Sequence, residues 1–559
     1  MGSAGRIGAI WNDPCFSSLD VWKRFSAVRE WHAVKRRDLI KAVSIGALAA
    51  PRLARAQGAS TLRFVPVGDL AVLDPIITPA YVTRNHAFPV FDTLYGLDAE
   101  LRPQPQMVEG QTVEDDGLTW TFTLRQGLKF HDGSPVLARD AAASIKRWTA
   151  RDSFGIVLAA ATNEVAAVSD RVFRIRLKKR FPLLLEGFAH CSAYLMPVMP
   201  ERLALTSPST QVTEMMGSGP YRFLADERVP GARVAYQRFE GYAPRQEAPS
   251  FLAGAKRALM ERIEWRTIPE ASTASSALRS GQVDWWEQPT IDLLPQLRAT
   301  SGVVTEVADT SGNLGILRLN HLYPPFDNPE IRRIVLAASR QADFMTAVNG
   351  EDRRLWRDNV GVFAPGSPLA SDTGLAVMSG PQDFDKIKRD LAAAGYRGEK
   401  VVMLAATDFP SINAMCEVAG DLYRKMGFNL DYQATDWGTV VQRRISQEPP
   451  EKGGWSTHCT YSTGYDSMSP AGNSSLNAVG RAGTLGWVTS PRLTALRLSW
   501  FDAPDVAAQQ TVCRDIQMQF LQDVPYVPTG QFLQPTAYRS NLRGMAQGSM
   551  VMFHNVSKV

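Results

Sequence analysis

Glu109–Trp148, which reads EGQTVEDDGLTWTFTLRQGLKFHDGSPVLARDAAASIKRW, holds the strongest fold signal in this chain. Within it, Thr119–Arg125 alternates polar and apolar side chains, which predicts a half-buried strand. The Asp132–Gly133 pair then predicts a turn. Apolar residues recur at helical spacing from Arg139 to Trp148, and Asp140 favours the N-terminus of that helix through the helix dipole. The stretch therefore predicts a strand, a turn and a helix in immediate succession.

Strand and helix patterns alternate along the rest of the chain as well. Further strands are predicted at Val172–Leu177 and Lys400–Ala405. Further helices are predicted at Ile331–Val348, Asp385–Ala394, Ser411–Met426 (with Ser411 as N-cap and Gly427 as stop) and Pro504–Gln522. The strand–helix–strand order in the second half of the chain indicates an α/β fold with a mostly parallel sheet.

The composition is that of a globular protein. The 559 residues are 45% hydrophobic and 21% charged, which excludes a disordered or collagen-like chain. No run of 18 or more uninterrupted apolar residues occurs, so a membrane-spanning bundle is not expected.

The positive charge of the chain is concentrated near its N-terminus. The formal net charge is +5, but residues 1–56 contain ten Lys and Arg against four Asp and Glu. The remaining residues contain 51 basic and 52 acidic side chains, so the body of the protein is nearly neutral. A nearly neutral body does not offer the basic surface that phosphate backbones require, and we expect no nucleic-acid partner.

Residues 1–56 have the pattern of an export signal. Arg36–Lys41 reads RRDLIK, a short apolar stretch follows at Ala42–Ala50, and Ala54–Ala56 is a small-x-small cleavage site. The spacing resembles the twin-arginine export motif, with Lys35 where Ser or Thr is usual. We therefore expect a periplasmic protein, cleaved near Ala56. An amphipathic N-terminal helix is the alternative interpretation, and the long stretch before Lys35 suggests a translation start later than Met1.

No catalytic or metal-binding motif is found in the sequence. The nucleophile elbow, the phosphate loop, the zinc-protease helix and the dinucleotide turn are all absent. The seven histidines are scattered, without a pair at metal-ligand spacing. Outside the export segment the cysteines are Cys191, Cys416, Cys459 and Cys513, which allow three complete pairings or isolated buried thiols. We therefore expect no enzyme activity, no metal and no cofactor.

Glu109–Trp148 resembles the signature of the extracytoplasmic solute-binding proteins of family 5, which serve dipeptide, oligopeptide and nickel ABC importers. Weaker matches follow in the family's order at Gly217–Phe223, Leu278–Asp284, Asn320–Arg340, Val524–Pro528 and Leu542–Gly544. The resemblance implies a two-lobed α/β fold of the periplasmic-binding-protein-like II type, with an extra subdomain in lobe I and two hinge crossings. It places lobe I at 57–93, 212–309 and 526–559, the extra subdomain at 94–211 and lobe II at 310–525. The crossings would lie near Asp309–Gly312 and Asp523–Pro525.

The function that the resemblance implies is capture of a peptide or peptide-like small solute between the lobes. A monomer would close on the ligand and deliver it to an ABC transporter permease in the inner membrane. The alternatives are the same fold with another solute (an opine, a sugar, haem or a nickel complex), a secreted hydrolase with an unrecognised triad, or an exported chaperone or structural protein.

Six residues are candidate ligand contacts. Cys459–Asp466 resembles the family's Trp-x-Gly-Asp segment, with Tyr461 in place of the tryptophan and one extra residue between Gly464 and Asp466. The resemblance implies that Asp466 holds a cationic group of the ligand. The other candidates are Tyr81 and Thr83 in an opening loop, Tyr461 itself, and Trp437 and Trp487 as aromatic walls. The sequence does not identify an arginine for a ligand carboxylate.

Overall fold

Two separate β-sheets organise the chain. The computed structural model describes residues 60–191, 194–503 and 505–559. The predicted export segment, residues 1–56, lies outside these ranges. We refer to the part built on the first sheet as lobe I and to the part built on the second sheet as lobe II.

The strands are β1 Thr61–Val65, β2 Tyr95–Leu97, β3 Pro103–Pro105, β4 Val108–Glu114, β5 Thr119–Leu124, β6 Thr162–Ala167, β7 Val172–Leu177, β8 Tyr221–Phe223, β9 Arg233–Arg238, β10 Arg262–Arg266, β11 Trp285–Trp286, β12 Val303–Glu306, β13 Asn313–Leu319, β14 Trp356–Arg357, β15 Lys400–Ala406, β16 Asn429–Thr435, β17 Thr457–Thr463, β18 Tyr526–Phe532, β19 Thr536–Arg539, β20 Leu542–Arg543 and β21 Ser557–Lys558.

The α-helices are α1 Tyr81–Val90, α2 Ala138–Thr149, α3 Ser153–Ala161, α4 Leu184–Ala189, α5 Glu201–Ala204, α6 Ala271–Arg279, α7 Leu294–Arg298, α8 Pro329–Ala338, α9 Gln341–Asn349, α10 Phe384–Ala393, α11 Pro410–Met426, α12 Trp437–Arg443, α13 Pro491–Phe501 and α14 Val506–Asp523. In the ranges that the structure describes, no helix combines the length and the apolar content needed to cross a membrane.

Lobe I contains a seven-stranded sheet in the order β12-β19-β11-β1-β10-β9-β8. Strand β1 lies parallel to β10 and β11, and the other pairs are antiparallel. An antiparallel four-stranded sheet, β4-β5-β7-β6, forms the extra subdomain together with α2 and α3. The predicted strand, turn and helix of Glu109–Trp148 are confirmed as β5, a turn at Gly133 with a φ of 87°, and α2.

Lobe II contains a six-stranded sheet in the order β14-β18-β13-β17-β15-β16. Strand β15 is parallel to β16 and β17, whereas β13 is antiparallel to both of its neighbours. The expectation of a mostly parallel sheet is therefore wrong: the sheet is mixed, because β13 runs antiparallel to β17 and β18, and β14 runs antiparallel to β18.

The predicted helix at Ile331–Val348 is divided into α8 and α9. The backbone of Ser339 is extended, with a ψ of 136°, so the helical hydrogen-bond series stops there. The break lets the Gln341 side-chain amide donate to the carbonyl oxygens of Val360 and Pro528, at 2.7 and 3.0 Å. Helix α11 is also capped differently from the prediction, since Phe409 rather than Ser411 occupies the N-cap position.

The chain passes between the two sheets twice. The first passage joins β12 to β13 and includes Asp309–Gly312, where the sequence places a crossing. The second joins β18 to β19 through Leu533–Pro535, later than the predicted Asp523–Pro525, because β18 pairs with β13 in lobe II. Residues 526–532 therefore belong to the lobe II sheet and not to lobe I.

The extra subdomain also contacts lobe II directly. The ring of Phe501 at the end of α13 packs edge-on against Phe154, with 5.5 Å between centroids, and stacks with Phe181 at 6.0 Å. Nearby, Arg497 Nη2 donates to the Ser153 carbonyl oxygen at 3.0 Å. The contacts between the lobes are extensive enough that Ala59–Val559 forms one compact unit. The structure shows the lobes in this one arrangement, so the opening and closing of the lobes stays a prediction.

The four cysteines of the described ranges are all buried and free. Cys416 on α11 and Cys459 on β17 contact each other through their thiols. Burial raises the pKa of the Cys191 and Cys513 thiols to about 12, so these two side chains stay protonated and unreactive at neutral pH.

Candidate functional site

A polar cavity of about 80 Å³ lies between the two lobes. Lobe I contributes Tyr81 from the start of α1 and the N-terminal region of α3. Lobe II contributes one face of the neighbouring strands β13 and β17, including Arg318 and His458, together with Arg444 and Asp466. Because polar side chains from both lobes converge on this cavity, it is a candidate binding site for the polar part of a small molecule.

Tyr81 connects the two lobes. Its hydroxyl donates to Asp466 Oδ2 at 2.7 Å and accepts from the Thr463 N–H at 2.7 Å. Its ring stacks on Tyr461 with 5.8 Å between centroids. The prediction of a loop here is wrong, because Tyr81 begins α1. The structure thus brings three of the predicted contact residues together.

Asp466 is buried, with 5% of its surface exposed. Its Oδ1 atom has no hydrogen-bond partner among the described residues. Burial raises the pKa of this carboxyl, and the positive charge of Arg84 opposes the shift. Gly464 precedes the Asp466 turn and its N–H donates to the Gly312 carbonyl oxygen at 2.6 Å. The turn that carries Asp466, just after β17, is thereby fixed to the first crossing segment.

Two buried arginines line the same cavity, and the sequence reasoning missed both. Arg318 lies in β13, whose residues are all buried, and Arg444 follows α12. Among the described residues neither forms an ion pair, since neither lies within 4.0 Å of a carboxylate oxygen. The available signal was an arginine within the mainly apolar run LGILRL of β13, which is unusual for a buried position.

His458 lies opposite Arg318 on the adjacent strand. Its Nδ1 lies 3.3 Å from the Cys459 carbonyl oxygen, and its Nε2 has no partner among the described residues. Burial, together with the charges of Arg444 and Arg318, holds the pKa of His458 well below its usual value. The imidazole is therefore neutral at pH 7 and can accept or donate one hydrogen bond in the cavity.

The remaining predicted contacts have different surroundings. Trp437, at the start of α12, lines a smaller adjoining cavity of about 40 Å³ together with Tyr81, Tyr461 and Arg444. Thr83 is buried in lobe I, where its hydroxyl donates to the Val72 carbonyl oxygen at 2.7 Å. Trp487 packs on Trp455 in the lobe II core, with 5.5 Å between centroids. The structure does not bring Thr83 or Trp487 to either cavity.

A second cavity, of about 90 Å³, lies on the other side of the Tyr81–Tyr461 stack. It is lined by Arg84, Glu287 and Asp309, the last of these on the first crossing. Glu287 accepts hydrogen bonds from the Val67 N–H at 2.8 Å and from Asn85 Nδ2 at 3.0 Å. Burial still raises the pKa of Glu287 to about 7.

This shift predicts a pH-dependent stability. The folded protein keeps a proton on Glu287 that the unfolded chain releases above about pH 4.5, so the stabilisation is complete below that pH and is lost as the pH rises through 7. We expect the free energy of unfolding to fall by about 1–2 kcal/mol between pH 4.5 and 7, less than the full shift would give because the side chain is partly exposed. Denaturant unfolding should show this slope for the wild type and remove it in Glu287→Gln. Equal slopes for the two proteins would contradict the assignment.

Comparison with known proteins places this architecture among transport receptors. Residues 102–474 match the model for the middle region of the bacterial extracellular solute-binding proteins, family 5. The chain is similar to the probable peptide ABC transporter periplasmic-binding protein y4tO of Sinorhizobium fredii, with 33% identity over 533 residues. The matched region covers 94% of this chain and 99% of that protein. It is 24% identical to the glutathione-binding protein GsiB of Pectobacterium atrosepticum, over 88% of this chain and 92% of that one.

Solved structures show the same fold. The binding protein DppA of Helicobacter pylori, in complex with the peptide STSA, superposes with a TM-score of 0.75 at 18% identity and covers 90% of this chain and 99% of its own. The binding protein AgaA of Agrobacterium tumefaciens R10, in complex with agropinic acid, gives a TM-score of 0.73 at 18% identity, with coverage of 89% and 99%.

Proposed function

Because this chain belongs to family 5 of the bacterial extracellular solute-binding proteins, we propose that it is the periplasmic receptor of an ABC importer. It captures a peptide or peptide-like small solute between its lobes and delivers it to a permease in the inner membrane. The ligand leaves chemically unchanged.

The observation that supports this proposal most directly is the charged cavity between the lobes. Its walls come from both lobes, so a ligand inside it contacts lobe I and lobe II at once. A ligand that contacts both lobes binds the closed arrangement better than an open one and shifts the population toward closure. The passages at Asp309–Gly312 and Leu533–Pro535 are the segments that would absorb the change of backbone angle.

The residue roles follow from their positions. Tyr81 lines the charged cavity, and Tyr81, Tyr461 and Trp437 form the aromatic wall of the adjoining cavity. Asp466 offers Oδ1 to a ligand ammonium group, while Tyr81 keeps Oδ2. We assign no ligand contact to Thr83 or Trp487, because Thr83 is hydrogen-bonded within lobe I and Trp487 lies in the core of lobe II.

Native mass spectrometry of the purified protein tests the proposal. We expect one small molecule bound per chain, released intact on unfolding, and a refolded ligand-free protein that binds it again at a ratio of 1:1. The melting temperature should rise with ligand concentration, because the ligand binds only the folded state. A preparation that binds no small molecule saturably, or that converts the molecule into products, would refute the receptor assignment.

Asp466→Ala should weaken the binding of an amine-bearing ligand. Removing the carboxylate leaves the ammonium group buried without its counter-charge, and we expect a loss of about 30-fold or more in affinity. Isothermal titration of the refolded protein with the co-purified molecule measures this. The control is Asp390→Ala on α10, whose carboxylate pairs with Lys386 on the surface. Unchanged affinity in Asp466→Ala would remove Asp466 from the binding site.

We further propose that residues 1–56 direct export by the twin-arginine route and are removed near Ala56. Two observations support this proposal. The sequence at Arg36–Lys41 has the twin-arginine pattern, and the similar protein of Sinorhizobium fredii is named as a periplasmic-binding protein. Arg36→Lys combined with Arg37→Lys should leave the precursor in the cytoplasm, whereas Arg24→Lys with Arg29→Lys should be exported normally. Cell fractionation and N-terminal sequencing provide the readout, and an exported protein that retains Met1 would contradict the cleavage.

A further inference from the structure

The guanidinium groups of Arg318 and Arg444 are buried in the interlobe cavity with most of their hydrogen-bonding capacity unused. Only 7% of Arg318 and 5% of Arg444 is exposed. The Arg318 guanidinium donates one hydrogen bond, from Nη2 to Ser475 Oγ at 3.1 Å, and its Nε and Nη1 have no partner among the described residues. Arg444 Nε is likewise unpartnered within the described ranges. Burying a guanidinium ion with unpartnered N–H groups costs free energy, unless another group supplies the missing hydrogen bonds and the counter-charge.

The aromatic contacts of the two arginines do not replace a counter-charge. The Arg318 guanidinium carbon lies 5.2 Å from the centroid of the Tyr526 ring, and that of Arg444 lies 5.0 Å from the ring of Trp437. Such contacts contribute about 1–2 kcal/mol, less than the cost of burying an ion. Burial lowers the pKa of each arginine to about 10, so both remain charged at neutral pH.

The acidic groups of the cavity are already engaged elsewhere. Asp466 is bonded to Tyr81 and is balanced by the charge of Arg84. Asp152 Oδ1 accepts hydrogen bonds from the N–H groups at the start of α3, both at 2.9 Å, and its charge acts on Arg497. Neither carboxylate is within ion-pair distance of Arg318 or Arg444 in the described structure. The cavity therefore holds two positive charges that the protein does not neutralise.

We infer that this cavity selects an acidic ligand, with a carboxylate of the ligand held jointly by Arg318 and Arg444. The inference rests on the proposed receptor function and names the class of solute: a small molecule with more carboxylates than amines. Guanidinium groups bind carboxylates through paired N–H donors, which suits the unpartnered Nε and Nη atoms here. The neutral His458 beside Arg318 supplies a further hydrogen bond.

The size of the cavity fits the charged end of a ligand. Its volume of about 80 Å³ is several times the roughly 10–15 Å³ that one water needs, which leaves room for a carboxylate. An adjoining cavity of about 40 Å³ lies next to it, and Tyr81 and Arg444 line both cavities. The arginines thus have room to anchor the carboxylate end of a ligand.

Titration of the refolded, ligand-free protein with matched probes tests the inference. The probes are the dipeptides Glu-Glu, Ala-Ala and Lys-Lys, with succinate and inorganic phosphate at equal ionic strength. We expect Glu-Glu to bind at least tenfold more tightly than Ala-Ala or Lys-Lys, and succinate to raise the melting temperature more than phosphate. A preference for the neutral or basic dipeptide, an equal or stronger effect of phosphate, or no binding by any acidic probe would overturn the inference.

The arginine variants provide a readout that a structural role would not give. Arg318→Met and Arg444→Met should each weaken Glu-Glu binding by about 30-fold or more. Neither should lower the melting temperature of the ligand-free protein, because an unpaired buried charge is replaced by an apolar chain. The control is Arg332→Met, since the Arg332 guanidinium donates to the carbonyl oxygens of Phe326, Asp327 and Asp523. It should lower the melting temperature and leave the probe preference unchanged.

The outcomes separate this inference from the receptor function. Saturable binding of a neutral or basic molecule, by titration or as the co-purified ligand, would overturn the acidic preference and leave the receptor function intact. Loss of all saturable binding would overturn both. Unchanged Glu-Glu affinity in both arginine variants would overturn the acidic preference alone. If Arg318→Met fails to fold, Arg444→Met and Arg318→Lys give the same test, with partial affinity expected for the lysine.

Discussion

Asp74→Ala should lower the free energy of unfolding by about 3–5 kcal/mol, the largest effect that we expect from a single change. Asp74 is fully buried and pairs with Arg147, with Nη2 to Oδ2 at 2.7 Å and Nη1 to Oδ1 at 3.2 Å. The same carboxylate accepts the N–H groups of Ile76 and Val212. Removing it leaves the Arg147 charge buried and detaches the opening segment of lobe I from α2.

Urea unfolding and calorimetry measure this loss. The matched control is Asp358→Ala, because Asp358 pairs with Arg353 on the surface, where an ion pair contributes about 0–1 kcal/mol. The double variant Asp74→Leu with Arg147→Met should recover much of the stability, since an apolar pair replaces the buried ions. A loss in Asp74→Ala no larger than in the surface control would show that the pair is not a structural anchor.

Gly464→Val should be the second severe change, with a loss of about 3 kcal/mol in stability and weakened ligand binding. The backbone of Gly464 is ordinary, with a φ of −57°, so conformation does not require glycine there. Glycine is required because there is no space for a side chain: an added Cβ would lie 2.0 Å from the Ser311 carbonyl oxygen on the first crossing. Because that neighbour is backbone, it cannot move aside without displacing the crossing or the Asp466 turn.

The control for this variant is Gly380→Ala, where an added Cβ meets no atom within 4 Å. We expect it to change the melting temperature little. Thermal unfolding and ligand titration of the two variants should therefore differ sharply. A Gly464→Val protein with wild-type stability and affinity would contradict this prediction, because it would mean that the backbone of the first crossing can move to make room for the side chain.

The sequence predicted best those features that depend on neighbouring residues. The strand β5 and the helix α2 follow from side-chain periodicity, which is local. The family resemblance led to Tyr81, Tyr461 and Asp466, and in the structure Tyr81 contacts the other two. Whether they bind ligand stays a prediction.

Features that depend on distant contacts were missed. The break at Ser339 cannot be found from periodicity, because the apolar pattern continues through it, while the bond from Gln341 to Pro528 that accompanies the break joins residues far apart in the sequence. Arg318 in β13 and Arg444 after α12 are far apart in the sequence, and only the tertiary fold brings them to one cavity. Thr83 and Trp487 show the opposite error, since their side-chain types suit a binding wall but the fold buries them within the lobes.

The seam formed by Phe154, Phe181 and Phe501 has a consequence for handling the protein. If the lobes separate when no ligand is present, the ring of Phe501 loses its contacts with Phe154 and Phe181, and the apolar surface that these contacts cover meets water. Exposed apolar patches promote self-association. The unloaded receptor should therefore be the aggregation-prone species at high concentration, and added solute should act as a solubiliser during concentration and crystallisation.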